Sequence, residues 1–249
     1  MYAVYLPFTL FCIAFLSLIY VKGKRLIDIF EMPYNHELIS CCIGIFEDLE
    51  VSNMKIDKLC DFFPKELVEC WKTHHKSDAL TNLQKQVFSK PDLFFSNNNL
   101  IIQAPTSSGK TFVAEAATAY TLFHNINSGV LYLAPFKALV FEKYKTFLKT
   151  FSSIGFNVFQ SSSDYRMFDR NISNGSFDVV VTVYEKLLSL LVNDGNEKIL
   201  TQCKLIIFDE LQFIEDSQRG PKIEMLLAKI QSMPDEKRPR LLGLITSAG

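Results

Sequence analysis

The stretch Leu100-Ile101-Ile102-Gln103-Ala104-Pro105-Thr106-Ser107-Ser108-Gly109-Lys110-Thr111 carries more information than any other in the chain. A β-branched, apolar tetrapeptide runs into a loop of small residues, and a helical period opens at Phe112. Small side chains let backbone N–H groups curl around an anion, and the helix that follows presents its positive N-terminus to the same place. Lys110 adds a cation for β- and γ-phosphates, and the Thr111 hydroxyl is a ligand for Mg²⁺. The stretch therefore reads as strand, phosphate loop and helix, with Ala104 in the position where the common pattern has its first glycine.

Such a loop needs a carboxylate for the metal at the end of a neighbouring strand. Lys204-Leu205-Ile206-Ile207-Phe208-Asp209-Glu210 supplies one, an apolar run that closes on two acids. Asp209 is placed to hold Mg²⁺, and Glu210 to orient and deprotonate an attacking water. Together the two stretches point to hydrolysis of ATP or GTP.

Further apolar runs lie at Val130–Ala134, Phe156–Phe159, Val179–Thr182 and Leu241–Ile245. They alternate with helical periods at Phe112–His124, Lys137–Phe151, Tyr184–Val192 and Ile223–Ser232. Strands apolar on both faces, separated by helices, predict an α/β domain whose parallel sheet is sandwiched by helices, over residues 81–249. Residues 22–80 read as a helical accessory region, with amphipathic stretches at Leu38–Leu49 and Lys65–His74 and with Pro64 ahead of the second. Residues 1–21 carry no charge and would span about 31 Å as a helix. They read either as a membrane helix or as a misassigned start or buried helix; if they span, Lys22, Lys24 and Arg25 keep the remainder on the cytoplasmic side.

Composition sets outer limits. The 249 residues are 48% hydrophobic with a formal net charge of −1, which excludes a disordered tail and leaves nucleic-acid binding to local patches. The cysteines Cys12, Cys41, Cys42, Cys60, Cys70 and Cys203 form no C-x-x-C pair, and Cys70 with His74 and His75 lacks a second ligand pair. Thiols in a reducing compartment are expected, and no zinc.

With these residues in view, Ala104–Thr111 and Asp209-Glu210-Leu211-Gln212 resemble the DExH helicases of the second helicase superfamily, and within them the helicase domain of DNA polymerase theta and its relatives. Leu131–Leu139 with Glu142-Lys143, and Asp178–Thr182 with Glu185-Lys186, are similar to the elements by which these enzymes touch a nucleic-acid backbone. Arg219-Gly220-Pro221 and Glu224–Ile230 resemble the helix after the acidic motif, and Phe63-Pro64 and Leu83-Gln84 the entry to the domain. The likeness covers about residues 60–245. It implies a RecA-like P-loop NTPase lobe that binds ATP and Mg²⁺. Catalysis falls to Glu210, Asp209, Lys110 and Gln212, and the metal to Thr111 and Asp209. The nucleotide is held by Ala104, Pro105, Thr106, Ser107, Ser108, Gly109, Lys110 and Thr111, with Gln84 reading the adenine edge. Nucleic acid, DNA favoured, would meet Pro135, Lys137, Thr182 and Glu185.

Three departures stand against the pattern. Gln212 replaces the usual His, Phe159–Ser163 lacks the usual glycine, and Gly243-Leu244-Ile245-Thr246-Ser247-Ala248-Gly249 stands where the family has Gly-Leu-Ser-Ala-Thr. The expected function is the ATP-hydrolysing lobe of a nuclear helicase in DNA repair or recombination, cut short before a second RecA-like lobe that would act in cis or in trans. An RNA helicase lobe is one alternative. Another is a single-lobe nucleotide-binding interaction module, membrane-tethered or not.

Overall fold

The computed structural model describes residues 54–75, 78–193 and 197–247, the side chains of Asn193 and Glu197 excepted. The reading of 1–21, the stretch Leu38–Leu49, and Ala248-Gly249 of the closing motif lie outside the described residues. Among the described residues, no helix is long and apolar enough to cross a membrane.

Six strands form one all-parallel sheet: β1 (Leu100–Ala104), β2 (Gly129–Ala134), β3 (Val158–Ser161), β4 (Val179–Val183), β5 (Cys203–Phe208) and β6 (Arg240–Thr246). Their spatial order is β1-β6-β5-β2-β4-β3, the doubly wound α/β sheet of a RecA-like P-loop domain. Every residue of β2 and β4 is buried, as strands covered on both faces require. After α1 (Lys65–His74), α2 (Asn82–Phe88) and the short α3 (Pro91–Phe94), the crossover helices are α4 (Lys110–His124), α5 (Lys137–Phe151), α6 (Asp169–Ser173), α7 (Tyr184–Asn193), α8 (Glu197–Gln202) and α9 (Gly220–Gln231). The Ala114, Ala116, Ala117 and Ala119 side chains of α4 are all buried, and their size lets this helix lie close on the sheet.

Two boundaries moved for identifiable reasons. β3 begins at Val158 instead of Phe156 because the Phe156 N–H closes α5 by donating to the Phe151 carbonyl at 3.0 Å. The next N–H, of Asn157, goes to the Asp178 carboxylate at 2.7 Å. α9 begins at Gly220, earlier than its apolar period suggests, with Pro221 in the first turn. Gly220 packs so closely on the Ile214 carbonyl that a Cβ would collide with it.

The helical residues before the sheet share its core. Ile56, Leu59, Phe63, Leu67, Val68 and Trp71 belong to the same apolar cluster as Val113, Phe147 and Ile207. At its centre lies a polar knot. Glu115 of α4 is 2% exposed, and its Oε2 accepts from Trp71 Nε1 at 3.2 Å and Thr150 Oγ1 at 2.8 Å.

Burial raises this carboxyl to about 7, against the two hydrogen bonds that hold it down. Below the ordinary carboxylate range Glu115 is protonated folded or unfolded, so it has no effect on stability there. As pH rises from about 4.5 to about 7, the unfolded chain releases the proton while the folded chain keeps it, and stability falls. Above that window the loss is constant, on the order of 3 kcal/mol. Glu115→Gln keeps an acceptor and cannot ionise. It should be more stable than the wild type in urea titrations at about pH 8 and near parity at about pH 4, below the unfolded carboxyl's range; an equal difference at both values would count against this assignment.

Candidate functional site

The phosphate loop leaves the carboxyl end of β1. Ser107 (φ 61°) and Gly109 (φ 95°) are left-handed, and Gly109 caps α4. At Gly109 a Cβ would run into the Gln84 amide, so this position requires glycine on both counts. Four loop carbonyls are taken by side chains. Lys110 Nζ donates to Ala104 O at 2.8 Å and Pro105 O at 2.9 Å, Thr81 Oγ1 to Ser108 O at 2.6 Å, and Gln84 Nε2 to Gly109 O at 3.3 Å. The buried Ser108 Oγ has no hydrogen-bond partner, an orphan that a phosphate oxygen would satisfy. With the glycine cradle and the N-terminus of a 15-residue helix, the loop fits a polyphosphate.

Gln84 does two other jobs here. Its Oε1 accepts from Thr81 N at 2.9 Å while Thr81 Oγ1 accepts from Gln84 N at 3.3 Å, a capping box that starts α2. It is 6% exposed. Reading an adenine edge would require its amide to leave the Gly109 carbonyl and the Thr81 N–H.

Asp209 and Glu210 follow β5, the second neighbour of β1 in the sheet. Asp209 is buried, its Oδ2 accepting from Tyr132 OH at 2.7 Å and its Oδ1 from Glu210 N at 3.1 Å. The Tyr184 hydroxyl donates to its carbonyl. Burial pushes the Asp209 carboxyl up, and Tyr132 holds it down. Lys110 is pushed down by burial and held up by the Glu210 and Asp209 carboxylates.

Glu210 is left-handed at φ 51°, a conformation that is costly for a residue with a Cβ and often found at working sites. Its Oε2 accepts from Thr246 Oγ1 at 2.6 Å and Gln212 Nε2 at 2.5 Å, and Gln212 Oε1 accepts from Thr246 N at 3.2 Å. Gln212 and Thr246 thus close a ring on Glu210. Ser247 N donates to Ala104 O at 3.2 Å, tying the end of β6 to the loop.

A second concavity, of about 1210 Å³, opens where β2 and β4 end. Lys137, Arg166, Arg170, Lys186 and Arg219 line it, against the carboxylates of Asp169 and Glu185. Pro135 lines it too, and its carbonyl accepts from Arg219 Nε at 3.2 Å, whose guanidinium lies 4.4 Å from the Phe136 ring centroid. Lys137 pairs with Asp164 at 2.7 Å and Glu185 with Lys222 at 3.3 Å.

Thr182 is the exception among the residues expected at this surface. It is fully buried and its hydroxyl donates to Ser161 O at 2.8 Å, so strand alternation turns it away and Val183 lines the concavity in its place. Residue-type reasoning also passed over Tyr132 and Tyr184. Their signal was there: a phenol within an aliphatic strand (Tyr132) or directly after one (Tyr184), once buried, has to find a partner for its hydroxyl.

The comparisons agree with this geometry. Residues 81–248 match the family described as DEAD/DEAH box helicase. The ATP-dependent DNA helicase Hel308 of Caldivirga maquilingensis is 36% identical over 154 residues, which is 62% of this chain and 19% of that protein. Activating signal cointegrator 1 complex subunit 3-like of Dictyostelium discoideum is 32% identical over 182 residues, 67% of this chain and 8% of the relative. Probable ATP-dependent DNA helicase HFM1 of Mus musculus is 28% identical over 160 residues, 63% and 11% respectively. The chain thus spans a fifth or less of the length of these relatives.

Proposed function

Because the chain belongs to the DEAD/DEAH box helicase family, we propose that its α/β domain is the ATP-binding and ATP-hydrolysing lobe of a nucleic-acid motor, acting on DNA. The observation that carries this reading is the ring of Glu210, Gln212 and Thr246 at the sheet edge that holds the Ala104–Thr111 loop. ATP would lie with its phosphates on that loop, gripped by Lys110 and capped by the orphan Ser108 hydroxyl. Thr111 and Asp209 are the residues to hold Mg²⁺, which when bound neutralises charge developing on the phosphates. Glu210 orients the attacking water and takes its proton, with Gln212 and Thr246 fixing the carboxylate at the required angle.

The concavity at β2 and β4 would receive the backbone of a single strand, its phosphates meeting Lys137, Arg166, Arg170 and Lys186, with Pro135 and Glu185 at its wall. Tyr132 and Tyr184 connect the two places, since both bond Asp209 while Tyr184 precedes Glu185 at the groove. That link favours a motor over an interaction module without turnover. Unwinding would need a second RecA-like lobe, in cis or in trans.

DNA is favoured over RNA because Hel308 and HFM1 are named as DNA helicases. Work in repair or recombination, a nuclear location and the likeness to polymerase-theta helicases belong to the same proposal and rest on the motif residues. The division into an accessory region ending at 80 and a lobe from 81 to 249 is part of it as well. Anisotropy of labelled single-stranded DNA and of RNA of the same sequence tests the substrate. Arg166→Glu with Arg170→Glu should weaken DNA binding about tenfold or more and flatten its salt dependence. Unchanged affinity would remove the groove from the account, and tighter binding of RNA would reverse the choice of substrate.

A further inference from the structure

Lys143 lies on α5, and the element that carries it resembles one that touches nucleic acid. Its neighbours on the helix say otherwise. Val140, Phe147 and Thr150, at helical spacing from it, are buried, so Lys143 shares the inward face. Its side chain is only 12% exposed. Burying an ammonium is costly unless a partner of opposite charge or strong acceptors receive it. Lys143 Nζ donates to Thr111 Oγ1 at 2.9 Å and to Glu142 Oε1 at 3.1 Å, a carboxylate that is itself 63% exposed. Lys137, at the start of the same helix, faces the groove and pairs with Asp164. Lys137 and Lys143 thus serve different places.

We infer that Lys143 is a positioning residue of the nucleotide site, a second cation beside Lys110 that sets the Thr111 hydroxyl and draws in the polyphosphate. The inference rests on the reading of Ala104–Thr111 as the ATP loop. A threonine hydroxyl has one hydrogen and two lone pairs. With one lone pair held by the Lys143 ammonium, the other is left for a metal and the hydrogen for an acceptor such as a phosphate oxygen. The hydroxyl is then fixed in rotation before nucleotide arrives, and the ammonium stands close enough to add its own charge to the phosphates. The effect should grow with the number of phosphates and should not involve the groove.

The experiment is binding of fluorescent ATP and ADP analogues to the full chain in a Mg²⁺ series, for wild type, Lys143→Met and Lys143→Arg. Lys143→Met keeps the apolar stem and removes the charge. It should lose about tenfold in ATP affinity, lose less for ADP, and need more Mg²⁺ for half-maximal ATP binding. Lys143→Arg should recover most of the loss, and single-stranded DNA binding without nucleotide should be unchanged in both. An equal loss for ATP and ADP with a lowered melting temperature would mark Lys143 as a packing residue and overturn the inference. So would wild-type ATP affinity in Lys143→Met. If the wild-type chain binds no ATP, the reading of the loop fails and the inference fails with it. ATP binding by the wild type with an unaffected Lys143→Met would sink the inference alone.

Discussion

Glu210→Gln should leave ATP binding unchanged and lower ATP turnover by roughly 10²–10⁴-fold, the usual contribution of a positioned general base. The substitution preserves shape. A glutamine at 210 still offers an oxygen to the Thr246 hydroxyl and to Gln212 Nε2, so the ring that orients the side chain can persist. What is lost is the ability to accept the proton of the attacking water. Because Glu210 is held in a left-handed backbone conformation with its carboxylate bonded from two directions, the position is built for one orientation. Turnover of the variant close to the wild-type rate would assign the base elsewhere. Loss of nucleotide binding with turnover would instead mean that Glu210 supports the loop.

Trp71→Ala should destabilise the chain by about 3–5 kcal/mol, among the largest costs available from one core substitution. Trp71 is completely buried, edge-on to Phe63 at 5.1 Å and to Phe112 at 5.0 Å, and its Nε1 donates to the buried Glu115. Removing the ring leaves a cavity between α1 and α4 and takes one of two donors from a carboxyl group in the core. At about 2–4 °C per kcal/mol for a chain of this size, the melting temperature should fall by roughly 10 °C. Phe112 is the third residue of α4, directly after Lys110 and Thr111, so nucleotide affinity should weaken too. A melting temperature within a few degrees of wild type would mean that the helical residues before the sheet are not structurally joined to the lobe.

The sheet and its helices were legible because parallel strands and crossover helices carry strong, distinct periods. α5 was bounded at Lys137–Phe151 by its pattern alone, and every other long helix was found to within a few residues. The short α6 and α8 have too few turns to show a period. The phosphate loop and the acidic pair were readable because their chemistry constrains residue type and spacing together. What the residues could not reveal was direction. Whether Thr182 or Val183 faces the groove depends on one step of strand alternation, and the two are adjacent β-branched residues. Whether Lys143 serves nucleic acid or nucleotide depends on which side of α5 it occupies. That could have been read, since Val140, Lys143 and Phe147 share one helical face. In the altered closing motif, the Thr246 hydroxyl reaches Glu210, a contact that spans 36 residues of sequence and that no local pattern displays.

The central claim is that Ala104–Thr111 is a working nucleotide loop, and calorimetric titration of the full chain with Mg²⁺-ATP tests it most directly. The account predicts saturable binding with one site per chain, abolished in Lys110→Ala while the melting temperature of the free protein stays near that of the wild type. No binding by the wild-type chain at millimolar ATP, or equal binding by Lys110→Ala, would contradict it.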